Sequence, residues 1–462
     1  MSLYSISKTQ TTILPVQEKA RAEEFGYKMV FLIWFLYLFE PARLFAYYIP
    51  VLGSLKWLPT LFLVVAIFYW FNSSVKKYNY TAFTIFLALN LFGTVIAFVN
   101  DGNWGIARQI NRQIFQFYML GILTFSYFND NEKINKLLYL YFLYILYFAI
   151  WGILSLKLSP IDHTDPGLRT IVPWHPWLDN RDGFGPLMVI GLAYCFYYYR
   201  AVESRRLKLL SLISLILCVA GIILSFGRAV FVAMAITIAF MWYQSKKKIY
   251  GMFLLIAAAI LIFFTISLIS PDNRYWETMQ TINNGLSEGT GADRSVLWGW
   301  AWREFINYPI FGVGTGNFGI ALVKLVPLDE ALRHGYTEGR LWGRALHSAP
   351  FTILSEYGLV GTLAVVLLII DFINTNRKNR NFSLALLKGV VSKTHDDRHS
   401  HAKTFYYISL ALMACFLAFW VNGFFYEIIY TSFLWNLIVI NRLLYLNLSM
   451  GKNPEIKIAH SY

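Results

Sequence analysis

The chain of 462 residues is 57% hydrophobic and 18% aromatic, yet only 14% charged, with a formal net charge of +14. A soluble chain of that length would make two or three domains. This one instead repeats apolar runs near twenty residues, the number a helix needs to cross about 30 Å of hydrocarbon. So apolar a chain excludes a soluble enzyme and makes a poor partner for nucleic acid; its positive charge reads as a topology signal and as contact with anionic membrane lipids.

In chain order, residues 1–26 form a polar leader with Lys8, Lys19 and Arg21. It lacks a short apolar core with a small-residue cleavage site, so it is expected to remain in the cytoplasm on the mature chain. The fold expected is an all-α polytopic membrane protein with about 12 transmembrane helices, at roughly 27–42, 57–72, 80–99, 112–128, 136–156, 184–200, 208–225, 229–243, 249–269, 347–373, 404–422 and 426–447. Nine spans thus occupy 27–270, a long loop fills 271–346, and three spans occupy 347–449 around an inner loop at 374–403, before a tail at 450–462. The inner segments hold 17 Lys and 7 Arg, the outer loops 3 Lys and 12 Arg. That bias puts both termini in the cytoplasm and the long loop in the periplasm. Orientation does not require the switch from lysine to arginine. A planar, permanently charged fork suits phosphate or carboxylate, so the outer face reads as built to grip an anion. Cys195, Cys218 and Cys415 all fall in apolar runs and read as small buried hydrophobes, with no zinc spacing.

The residues that carry chemistry gather around the long loop. Arg340, Arg344 and His347 are spaced to share one face if the chain there is helical. A neutral imidazole in that place can take a proton from a hydroxyl nucleophile while the arginines hold an anionic leaving group; the competing reading is an interfacial histidine that hydrogen-bonds a helix start. Arg228, in LSFGRAVF, sits between two spans joined by almost no loop. An arginine so near hydrocarbon either binds a ligand or snorkels to headgroups. Arg294 opens DRSVLWGWAWREF, an amphipathic stretch whose Trp298 and Trp302 read as interfacial anchors. GVGTGN (312–317) lacks the lysine of a nucleotide loop and reads as a turn that fixes the chain against the bilayer. Arg181, with His175, Asp179 and Asp182, is either a headgroup or sugar contact or a plain polar loop. HDDRHSH (395–401) reads as a solvated loop, not a metal site. Glu356 falls near the face opposite His347 and is not expected to be its partner.

Together, SFGRA, Asp293–Arg294 with Trp298, YPIFGVGTGNF, and HS followed by EYGLVG resemble, in order and spacing over about 175–365, the O-antigen ligase and polymerase superfamily. Ser348 departs from the pattern, standing where relatives often carry Asn. The resemblance implies a metal-independent, cofactor-free membrane glycosyltransferase of GT-C-like helical build in the bacterial inner membrane. Its donor would be an undecaprenyl diphosphate-linked glycan, and its site would be periplasmic. Ligases pass the glycan to a sugar of the lipid A core oligosaccharide; polymerases pass it to a second lipid-linked glycan. The family's histidine falls on His347 and its key arginines on Arg228 and Arg294, with Arg181 less closely matched. A ligase is the leading expectation and a polymerase the alternative. A lipid-linked glycan transporter is less favoured, because the charges cluster at the outer surface and not through the middle of the spans.

Overall fold

The computed structural model describes residues 16–101, 104–158, 171–175, 178–179, 181–225, 227–245, 290–389 and 396–450. The expected ninth span, the loop segment 271–289, the start of the leader and the tail lie outside these residues. Among the described residues every regular element is helical, as backbone in hydrocarbon requires when each N–H must find its own C=O. In order they are α1 (Val16–Phe39), α2 (Pro41–Tyr48), a 3-10 segment (Pro50–Trp57), α3 (Leu58–Asn72), α4 (Thr81–Asp101), α5 (Trp104–Tyr127), α6 (Asn131–Leu158), α7 (Arg181–Ala201), α8 (Arg205–Leu224) and α9 (Arg228–Gln244). After the undescribed stretch come α10 (Thr290–Asn307), α11 (Phe318–Leu325), α12 (Leu328–Arg333), α13 (Glu338–Leu341), α14 (Ala349–Leu387), α15 (Asp396–Gly423) and α16 (Ser432–Met450).

Six of these segments are long and apolar enough to cross a membrane: Pro50–Asn72, Thr81–Asn100, Asn131–Ser155, Arg205–Leu224, Ala349–Leu387 and His401–Gly423. A seventh is added if Ala20–Phe39 and Pro41–Tyr48, bent by 46°, count as one. The protein is therefore a multi-pass membrane protein. α9 is apolar but short, and α5, α7 and α16 lie on expected spans while carrying more polar residues. Phe68, Phe71, Leu209 and Ile216 face outward on α3 and α8, the arrangement lipid demands. The interior is aromatic: Tyr141, Tyr144, Phe148 and Tyr194 are buried together, and the Tyr194 hydroxyl donates to the Leu138 carbonyl at 2.9 Å. α7 packs between α8 and α15, and α14 lies against α15 and α16.

Residues 374–387, expected in a connecting loop, continue α14. Their polar residues recur at helical spacing, and Asn376 and Asn379 turn inward to Asn441 of α16 at 3.2 and 3.1 Å. Buried amides with partners extend a helix as well as apolar residues do.

α14 is broken at Gly358 (φ 59, ψ −155). An unbroken helix would pair the N–H groups of Leu359 and Val360 with the carbonyls of Ser355 and Glu356. The segment 309–314 takes over both sides. Val313 and Gly314 donate to Ser355 and Glu356 at 2.9 Å each, while Leu359 and Val360 donate to Pro309 and Ile310 at 2.8 and 3.1 Å. Two helical bonds become four bonds to a loop, so the break leaves none of these groups unpaired within the bilayer. Only glycine adopts the Gly358 geometry freely, and a Cβ there would lie 2.6 Å from the Ile310 carbonyl carbon. The glycine-rich turn is therefore fixed against protein, not against the bilayer. Gly314 (φ 103) comes so close to α4 that a Cβ would meet the Ala97 nitrogen at 2.3 Å, and Thr315 N–H donates to the Gly93 carbonyl at 3.0 Å.

Candidate active site

Consecutive spans alternate in direction, and α7, α9, α10 and α14 all begin at one end of the bundle. The contact of α7 with α9 shows why: a Cβ on Gly185 would meet Val230, in the first turn of α9, at 2.4 Å. Small residues let these two helix starts approach, which brings the Arg228 backbone beside the first turns of α7.

His347 sits immediately before α14, held in the left-handed region at φ 53. Non-glycine residues rarely take this conformation, and where it occurs it tends to mark a functional constraint. Three contacts fix it. Ser348, fully buried and extended, accepts the Thr352 N–H at 2.9 Å and starts the helix. The preceding Leu346 N–H donates to the Glu427 carboxylate at 3.2 Å. The ring Nδ1 lies 3.7 Å from an Asp182 oxygen in the first turn of α7, both side chains being about two-thirds buried.

Arg294 is the fifth residue of α10, with its guanidinium 5.4 Å from the centre of the Tyr426 ring. Tyr426 precedes Glu427, so the turn between α15 and α16 links Arg294 to the backbone of His347. α10 is fixed from both sides: Trp298 stacks on Phe351 at 5.2 Å, and Arg303 and Trp300 both bond Glu330 of α12. Those bonds hold the Glu330 carboxyl below its usual range, Arg303 contributing most. Trp298 is thus buried within the protein, and Trp302 alone of the expected pair of anchors is exposed.

The stacking expected of Arg340, Arg344 and His347 on one helical face does not occur. α13 ends at Leu341, Gly343 takes φ 71, and residues 343–347 are not helical. Gly343 donates to the Gly319 carbonyl at 3.1 Å, and that docking ends the helix. Arg344 is half-buried over the Tyr336 ring at 5.4 Å, and Arg340 is exposed. Arg181 is the first residue of α7, next to Asp182.

Glu356, as expected, is not the partner of His347. It accepts from Gly316 N–H at 2.9 Å and from the Tyr430 hydroxyl, whose neighbour Tyr357 bonds Asn90 at 2.6 Å. The sequence offers Asp182 as a headgroup or sugar contact or as part of a plain polar loop, not as the partner of His347, and it does not single out Glu427. Glu427 lies in an apolar stretch between two spans, where any carboxylate is a site candidate.

The fold is a multi-pass helical bundle, and His347, Asp182 and Glu427 make a candidate site at one end of it. Residues 213–366 match the family model of the O-antigen ligases, Wzy_C, which supports the resemblance to the O-antigen ligase superfamily. The matched segment includes Arg228, Arg294 and His347. No curated protein matches the chain.

Proposed function

We propose that this protein is a ligase-type membrane glycosyltransferase. It moves a glycan from undecaprenyl diphosphate to a sugar hydroxyl of the lipid A core at the periplasmic face of the inner membrane. The observation that supports this most is His347, strained in a left-handed backbone beside Asp182, at the end of the bundle where Arg228 opens α9 and Arg294 lies near the start of α10.

Asp182 lies beside Nδ1, and Nε2 is assigned to the substrate. The acceptor hydroxyl gives its proton to Nε2 as its oxygen attacks the anomeric carbon. The bond from that carbon to the diphosphate oxygen breaks, the configuration inverts, and the electron pair leaves with the diphosphate. Arg228 and Arg294 neutralise the charge that develops there, and Arg181 lies at the same end to join them. Asp182 orients the ring and steadies the imidazolium. Arg344 props this end of the loop through Tyr336, and Arg340 meets the diphosphate lipid as it arrives. The donor is already activated, so the reaction calls for charge neutralisation more than for a Lewis acid.

The test is transfer by the purified protein, with undecaprenyl diphosphate glycan as donor and core lipid or a second lipid-linked glycan offered separately. Product on core lipid supports the ligase, and a ladder on the carrier makes the enzyme a polymerase. Product on neither overturns the reading in favour of glycan transport.

A further inference from the structure

α5 carries a polar face that the chemistry above does not use. Arg108, Gln109, Arg112, Gln113 and Gln116 follow helical spacing along one side, and both arginines are exposed. Arg112 stands at the start of the expected span 112–128, beside exposed apolar neighbours such as Phe115. An arginine at the mouth of a span either meets an anion or snorkels to the headgroups. Among the described residues no carboxylate pairs with Arg108 or Arg112, whereas Arg43 close by pairs with Glu40 at 2.6 Å.

The face is also built. Arg112 stacks on Trp57 with 5.0 Å between guanidinium and ring, and Gln116 bonds Thr60 at 2.9 Å, so α3 and the 3-10 segment wall one side. Stacking orients the fork and leaves its N–H edge to a ligand. The two arginines are one turn apart, with Cβ atoms about 5–6 Å from each other, a spacing that suits two forks on one phosphate group. Around them Trp57, Ile106 and Phe115 are exposed. A phosphate site rimmed by apolar side chains at the mouth of a span fits a lipid headgroup, with its acyl chains against the rim.

We infer that Arg108 and Arg112 form a second anion site, distinct from Arg228 and Arg294, which binds the phosphate of a phosphorylated glycolipid. Resting on the reading above, that lipid is the acceptor. Two lipid substrates would then be held by separate arginine pairs, one at each approach to the reacting centre.

Binding is measured by native mass spectrometry on the full chain in phosphatidylcholine nanodiscs, with diphosphoryl lipid A as probe. Arg108→Gln/Arg112→Gln is expected to weaken binding about tenfold or more, and the double lysine variant to recover part of it. Equal binding of dephosphorylated lipid A, equal binding of phosphatidylglycerol, or displacement by millimolar inorganic phosphate would each overturn the assignment. In transfer assays the double glutamine variant should raise the KM for acceptor about tenfold, leaving donor KM and kcat within about twofold. A change in donor KM instead would place these arginines in the donor site and overturn the proposal. Because the binding arm needs no turnover, it decides the site even if the parent protein transfers nothing.

Discussion

At the level of single residues, the account rests on a histidine whose place depends on its backbone. His347 was legible in the sequence because a titratable residue stood at the mouth of an apolar run. Its partner was not, because Asp182 lies far off in the chain in a loop without periodicity, and only the packing of α7 and α14 on α15 brings the two together. Asp182→Asn should lower kcat by about tenfold to a thousandfold with donor KM little changed, since the ring loses its orienting charge but the arginines remain. A donor KM raised with kcat intact would make Asp182 a binding residue. Arg294→Lys should recover little of the activity lost in Arg294→Ala, because a point charge cannot replace a fork stacked beside Tyr426. His175 offers a test of stability. Burial, with help from Arg43, lowers its pKa from 6.5 to about 3, so it is neutral in the folded protein and its 4.0 Å approach to Glu40 is not an ion pair. The unfolded chain protonates near 6.5, so stability is full above that pH and declines as pH falls toward 3. His175→Gln should reduce the drop in melting temperature between pH 7.5 and 5; an undiminished drop would assign the acid sensitivity to other groups.

Among the elements, the broken α14 and the loop that fills it form one unit. The glycines of GVGTGN announce a turn, and EYGLVG carries a glycine inside an apolar run, so both halves were visible. That they belong together was not, because the four bonds joining them are between backbone groups, which every sequence possesses. Similarly, the end of α14 was read as a loop because its Asn and Arg residues look solvated, whereas α16 supplies them with partners. Gly358→Ala should cost about 3 kcal/mol or more, from the forbidden geometry together with the clash at Ile310, read as a lower melting temperature in detergent. An unchanged melting temperature would mean that the helix can close without the loop.

For the whole molecule, composition settled the class, since no soluble packing accommodates so many outward aromatic and aliphatic side chains. Span boundaries were less legible: α5 and α16 mix amides and arginines with apolar residues, and a count by hydropathy blurs where polar faces turn inward or line a site. The basic-residue bias predicts that the end bearing His347 faces the periplasm. Arg340→Cys, exposed on α13, should be labelled in intact cells by a thiol reagent that crosses the outer but not the inner membrane, because the three native cysteines are buried. Labelling only after lysis would invert the orientation.

The central claim is that His347 removes the acceptor's proton while arginines hold the diphosphate. The most direct test is the single-turnover transfer rate of purified His347→Ala at saturating donor, with EDTA present. A fall of about a hundredfold to ten-thousandfold is expected, with donor binding retained. A rate equal to that of the parent would contradict it.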